Sequence, residues 1–198
     1  MSGNIDTLIE RWKGGDEMAA EALYKHHQAR LFGLALTLLD DAADADEVTH
    51  ETLLYAITNI AHYSPQRASF GTWLHTIAIN RCRDRLRRRK RFLFSFTHWL
   101  SRGQDIADSA PHLESRATNS ETRSEVLRAV QSLSQPLREA VLLRFWAGHT
   151  FREMAEILGC PVATAQSRVR LAYQQLRTAL AATDITGVSD LEEESQRG

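Results

Sequence analysis

Cysteine is scarce in this chain: Cys82 and Cys160 are the only two among 198 residues, and their spacing is neither metal-like nor that of a disulfide framework. That excludes a stapled scaffold and points to a reducing compartment. Prolines number four, and no period-two apolar run stands between hairpin turns, which argues against a sheet protein. No apolar run approaches the ~20 residues a membrane helix needs. The start, Met1-Ser-Gly-Asn-Ile-Asp6, has neither a basic patch nor an apolar core, so it is not a secretory signal. A cytoplasmic protein with no direct membrane insertion is expected. Also missing are an H-E-x-x-H pair, a nucleophile elbow and a phosphate loop. The eight histidines, His26-His27 and His50-Glu51 among them, are scattered. The expectation is therefore no catalytic residue, no metal site, no cofactor and no enzyme.

Charge is abundant and unevenly placed. The net value of −1 conceals eleven acidic and five basic side chains in residues 1–75, against nine basic and one acidic in residues 76–103. A nucleic-acid protein does not have to be basic overall; it needs a basic stripe where phosphates lie. The acidic part is free to meet a basic protein partner. Hydrophobic content of 43% is sufficient for a core.

The apolar spacing is helical almost throughout, which predicts an all-α protein of two small helical domains joined by a flexible linker. A first helix is expected from Asp16 to Leu39, and Asp40 to Asp44 breaks it. A second covers Asp46 to about Ile60, a loop follows around His62 to Arg67, and a third runs from Phe70 to about Arg91. Residues 1–92 form the first domain and 93–120 the linker. The second domain is 121–182, and the acidic tail 183–198 is expected to be disordered. In the aromatic stretch 92–100, Phe92, Phe96, Trp99 and Leu100 fit helical spacing, while Phe92, Phe94 and Phe96 also fit alternation. It either packs on the second domain or is a docking surface.

Within the second domain, Pro136 suits a first helical turn and Gly148 a helix C′ position. Thr150 and Glu153 form a T-x-x-E capping box, Gly159 ends that helix, and Pro161 lies in the first turn of the last one. Helix, short turn and helix make a helix-turn-helix. Phe151, Met154, Ala155, Ile157, Leu158, Val162, Ala165 and Val169 are its inward positions. Thr164, Gln166, Ser167, Arg168 and Arg170 are the outward set on the second helix, which this motif lays in the major groove. Arginine pairs with guanine, glutamine with adenine, and serine or threonine with phosphate. The bland alternative is that Arg168 and Arg170 merely solvate an exposed helix.

In the first domain, Leu74, Ile77, Ala78, Cys82 and Leu86 form one apolar stripe, with Asn80, Arg83, Asp84, Arg87 and Arg88 opposite. Eight of the eleven residues from Arg81 to Arg91 are basic, a density that repels itself unless an anion lies against it. The arginine bias favours phosphate contact over a merely solvated run. Tyr63 and Phe70 edge the loop before this helix; they either pocket an unstacked base or pack the core.

These stretches together resemble the sigma-70 family, specifically its extracytoplasmic-function (ECF) group. Asp44-Ala-Asp-Glu-Val-Thr-His-Glu51 resembles the acidic region 2.2 signature, D-A-E-D-x-x-Q-E-x-F. The stretch from Phe70-Gly-Thr-Trp73 through Asn80 and Asp84 to Arg89 resembles F-x-x-W-L-x-x-I-A-x-N-x-x-x-D-x-x-R-R of regions 2.3 and 2.4. Leu137 to Phe145 and the helix-turn-helix resemble region 4. His50 stands where glutamine is usual, and Leu53-Leu54 where phenylalanine is common. The resemblance implies a dissociable subunit of bacterial RNA polymerase core, with Asp44, Asp46, Glu47 and Glu51 toward the β′ coiled coil. Asn80, Arg83, Asp84, Arg87, Arg88 and the loop with Tyr63 and Phe70 would hold the melted −10 strand. Thr164, Gln166, Ser167, Arg168 and Arg170 would read the −35 duplex of promoter DNA. An anti-sigma factor is the further partner implied.

Two rivals stand beside this. A stand-alone helix-turn-helix repressor or activator explains the second domain, yet leaves the acidic signature and the Asn80–Arg91 segment without a role. A metal-dependent hydrolase has only the histidines in its favour.

Overall fold

The computed structural model describes residues 2–100 and 120–181, and among them every regular element is helical. The helices are α1 Ser2–Lys13, α2 Glu17–Leu39, α3 Ala42–Thr58, α4 Phe70–Leu100, α5 Ser120–Ser132, α6 Gln135–Val141, α7 Phe151–Leu158 and α8 Val162–Ala181. A short 3₁₀ turn, Ile60–His62, follows α3, and a π-type turn, Leu142–Trp146, continues α6.

Local chemistry explains most boundaries. Asp16 caps α2, its carboxylate accepting from the backbone N–H of Met18 at 3.0 Å and of Ala19 at 3.3 Å. Asp40 ends α2 in the left-handed region at φ 54°, a conformation short polar side chains tolerate, and its N–H bonds to the Leu36 carbonyl at 2.9 Å. Asp41 then caps α3 by accepting from the Asp44 N–H at 2.9 Å. The aspartates thus serve as one C-cap and one N-cap rather than a longer break, and α3 begins four residues before the expected Asp46. The Thr150–Glu153 capping box is formed in both directions, and Gly159 closes α7 at φ 65°.

Two further differences have physical causes. Helix α1 stands ahead of the first expected helix; it carries Ile5, Leu8, Ile9 and Trp12 at helical spacing and packs on α2, with the Trp12 indole donating to the Ile57 carbonyl at 3.1 Å. Helix α4 continues to Leu100, nine residues past its expected end, because nothing in 92–100 breaks a helix. The remainder of the linker and the tail 183–198 lie outside the described residues.

Helices α1 to α4 enclose Leu23, Leu31, Leu34, Leu38, Val48, Leu53, Leu74, Ile79 and Cys82. Helices α5 to α8 enclose Val130, Leu133, Leu143, Met154, Ile157, Ala165, Val169 and Ala172. Both sets belong to one contiguous apolar cluster, so the two helical units pack on each other, α4 against α7 and α2 against α5 and α6. Gly33 of α2 permits the closest of these approaches: a Cβ there would stand 2.8 Å from the Trp146 ring. Val162, expected inward, is instead 41% exposed at the start of α8.

Candidate nucleic-acid interface

Helix α4 buries Leu74, Ala78, Ile79 and Cys82, and that side fixes which residues face out. Asn80, Asp84, Arg87 and Arg88 are exposed, as are Arg89, Lys90 and Arg91. Arg87 donates to the Asp84 carboxylate one turn away. An open cleft of about 610 Å³ lies among Asp84, Arg87, Arg88, Lys90 and Arg91. Four cations, one of them paired with the single carboxylate, give that cleft a net positive field, which suits a polyanion.

Three of the expected residues on this side are not surface groups. Tyr63 and Phe70 are only 6% and 5% exposed. Their rings meet edge to face at 5.3 Å, with Trp73 within 5.8 Å of both and His27 at 5.4 Å from Phe70. The expected base pocket is therefore closed here: these rings gain more by stacking with Trp73 in the core than by standing in water. Burial, with Asp6 nearby, pushes the Tyr63 phenol up. Arg83 is turned toward α6, where its Nε and Nη2 donate to both oxygens of Glu139 at 2.6 to 3.2 Å. The Glu139 hydrogen bonds raise the Arg83 pKa. The fork-to-fork geometry makes this the most directional contact between the two units.

The acidic signature lies along α3, beside α4. Asp46 is exposed, whereas its neighbours have partners within the chain. Arg85 reaches Asp44 at 3.3 Å and Glu47 at 2.7 Å, and Arg81 donates to Glu51 at 2.7 Å. The Arg85 hydrogen bond holds the Glu47 carboxyl below its usual range. Arg81 and Arg85 were absent from the expected set; their i, i+4 spacing on α4, opposite the acidic run of α3, is the signal that marks them. They orient the carboxylates while leaving Glu47 and Glu51 half exposed, at 55% and 42% of their side chains.

On α8, Ala165, Val169 and Ala172 are buried against α7, and Met154, Ile157 and Leu158 meet them from α7. That leaves Gln166 and Arg170 exposed, with Thr164, Ser167 and Arg168 partly buried on the same end of the helix. Ser167 Oγ bonds to the Thr164 carbonyl at 2.9 Å, and the Arg168 guanidinium lies 3.8 Å from Cys160 Sγ. Gly159, at φ 65°, and Pro161 form the short turn between α7 and α8, and α8 packs on α7. Burial pushes the Cys82 thiol up to about 12, removing the reactive thiolate at neutral pH.

Among the described residues no cluster of three or more His, Cys, Asp or Glu could hold a metal ion, and no helix is long and apolar enough to cross a membrane.

Comparison with known proteins agrees with this layout. Residues 23–92 match the family described as Sigma-70 region 2, and residues 123–176 match Sigma-70, region 4. The chain is 27% identical over 180 residues to the ECF RNA polymerase sigma factor SigK of Mycobacterium tuberculosis, covering 91% of this chain and 95% of SigK. It is 29% identical over 185 residues to the RNA polymerase sigma-H factor of Pseudomonas aeruginosa, covering 87% and 92% of the two chains. In fold it is similar to the sigma factor RpoE solved in complex with the anti-sigma factor NepR from Bartonella quintana, with a TM-score of 0.66 and 24% identity over 81% of this chain and 96% of that one. It is also similar to CnrH, solved with the cytosolic domain of CnrY, at a TM-score of 0.65 and 22% identity over 91% and 99%. Two helical units of the sigma-70 type, in family order and spanning most of the chain, show that it belongs to the sigma-70 family as an ECF RNA polymerase sigma factor.

Proposed function

We propose that this sigma factor divides promoter recognition between two helix faces. The exposed side of α4, with Asn80, Asp84, Arg87 and Arg88, holds the melted −10 strand. Thr164, Gln166, Ser167, Arg168 and Arg170 on α8 read the −35 duplex. The observation that carries the division is that each helix packs its other side into a core, which turns these residues outward, where DNA can meet them. Residues 1–92 act as region 2, 93–120 as the connection, 121–182 as region 4 and 183–198 as a tail.

Asp44, Asp46, Glu47 and Glu51 of α3 meet the β′ coiled coil of the polymerase core. Arg81 and Arg85 set their orientation without neutralising the whole run. Melting is then binding energy spent on unpairing, so the role needs no catalytic residue and places the protein with polymerase in the cytoplasm. Tyr63 and Phe70 contribute by bracing Trp73 and the start of α4; a direct part on the DNA requires them to leave the core.

Control by an anti-sigma factor completes the proposal. The RpoE chain of Bartonella quintana carries such a partner in its structure. A partner of that kind covering the α4 and α8 faces here would block both readings at once.

Core polymerase supplied with this protein should transcribe selected promoter fragments. Asn80→Ala should leave binding to closed duplex intact while impairing opening. Equal loss of both would remove the division of labour. DNA binding without recruitment of polymerase would favour the stand-alone helix-turn-helix regulator.

A further inference from the structure

The contact between the two helical units contains a pair of buried histidines that the functional reading does not use. His75 lies on α4 one turn after Thr72, and His149 lies in the turn between Gly148 and α7; they are 8% and 6% exposed. His149 Nε2 and His75 Nδ1 stand 2.9 Å apart, with the rings edge-on at 84° and their centroids 4.8 Å apart. The pair is 74 residues apart in sequence, and it joins the region 2 unit to the region 4 unit.

A hydrogen bond between two imidazoles requires one N–H and one lone pair. Neutral rings meet that condition, whereas two protonated rings would set N–H against N–H at the same distance. The surroundings accommodate little positive charge. From α2, His27 and Arg30 face His75, with His26 beside His27. On α4 the Gly71 carbonyl is the neighbouring acceptor. From the π-type turn, Arg144 donates to the His149 carbonyl at 3.2 Å. Among the described residues the one carboxylate at hand is Glu153 of α7, 3.7 Å from His149 Nδ1, and it already accepts from Thr72 and Thr150. One anion against two histidines, a third histidine and two arginines leaves no partner for a second proton.

We propose that the His75–His149 pair is an acid-sensitive latch: neutral, it holds the helix-turn-helix unit against α4; protonated, it lets the units separate and frees Arg83 from Glu139. The significance of freeing Arg83 rests on α4 being the −10 face, but the latch itself is a property of the chain's shape.

The direction of the effect follows from burial. Desolvation, with His149 close by, lowers His75 to about 3, and desolvation lowers His149 against the pull of Glu153. The closed form therefore binds fewer protons than an open form whose histidines titrate near their ordinary 6.5. The latch is fully engaged above that value and weakens as pH falls below it. From pH 7.5 to 5.5 the closed-to-open ratio should fall about tenfold per histidine, and about a hundredfold if both take part. Glu153, held low by its hydrogen bonds, stays ionised across this window.

Small-angle scattering of the full chain from pH 8 to 5, with helix content followed by circular dichroism, tests the latch without polymerase or DNA, so its failure would leave the sigma-factor assignment intact. The expected result is a rise in the radius of gyration below pH 6.5 at constant helix content, absent in His75→Gln/His149→Gln. Imidazole NMR of the native chain gives a second reading should the double variant not fold: both rings should titrate below the ordinary histidine value and in step with the expansion. A radius unchanged down to pH 5, ordinary histidine midpoints in the compact chain, or a double variant that keeps the wild-type transition would each overturn the latch.

Discussion

The Arg83 guanidinium and the Glu139 carboxylate meet across the two helical units in a two-pronged ion pair, with Glu139 only 3% exposed. Gln135, one turn earlier on α6, donates to the same carboxylate at 2.9 Å, so on separation Glu139 would keep that bond and lose the two-pronged one from Arg83. Arg83, expected among the −10 residues, is thereby held by the unit proposed to read the −35 element.

Removing one side of that pair should loosen the closed arrangement. Glu139→Ala is expected to reduce its stability by about 1.5–3 kcal/mol, the range for a hydrogen bond to a charged group, since Arg83 is a quarter exposed and partly rehydrated when unpaired. A larger radius of gyration at neutral pH, with α-helical content unchanged, is the readout.

Gly33→Ala separates helix propensity from interface fit. Alanine alone should stabilise α2 by up to about 1 kcal/mol. The new Cβ would meet the Trp146 ring at 2.8 Å, so the units should separate while α2 becomes more helical. Tryptophan emission and scattering together distinguish this from a simple stabilisation.

The cap of α7 should define a second, lower pH window. Burial tends to raise the Glu153 carboxyl, but the Thr150 hydrogen bonds, His149 and Thr72 hold it below its ordinary 4.5. A carboxyl depressed on folding contributes stability above that ordinary value, and the contribution is lost as pH falls through the folded pKa. Thr150→Ala should cost about 1 kcal/mol near neutrality in a denaturant titration. Its penalty should shrink below pH 4, well separated from the histidine window.

Contacts on the two DNA faces should differ in kind. Arg168→Ala should weaken −35 binding by about 1–3 kcal/mol and relax preference at one base pair. Arg87→Ala or Arg88→Ala should weaken binding across sequences alike and lower the salt slope by about 1 each. Binding isotherms at several salt concentrations separate the two patterns.

What was legible in the chain was local. Asp16, the Thr150–Glu153 box and Gly159 act within a turn of their own position, so their roles follow from spacing alone, whereas Asp41, read as part of a break, caps α3. The outward faces of α4 and α8 followed from the apolar stripes opposite them. The fate of Tyr63, Phe70 and Arg83 was not legible, because it depends on partners from other helices: His27 of α2 joins the aromatic cluster, and Glu139 stands 56 residues from Arg83. The pairing of Arg81 and Arg85 with α3 is intermediate; charge periodicity marks it, but only the packing of α3 on α4 makes it a contact.

In vitro transcription with bacterial core polymerase on a pool of promoter fragments tests the central claim most directly. Selective transcripts that require this protein, reduced in opening by Asn80→Ala and in −35 selection by Arg168→Ala, are the expected result. Binding to DNA with no recruitment of polymerase, or transcription indifferent to both substitutions, would contradict it.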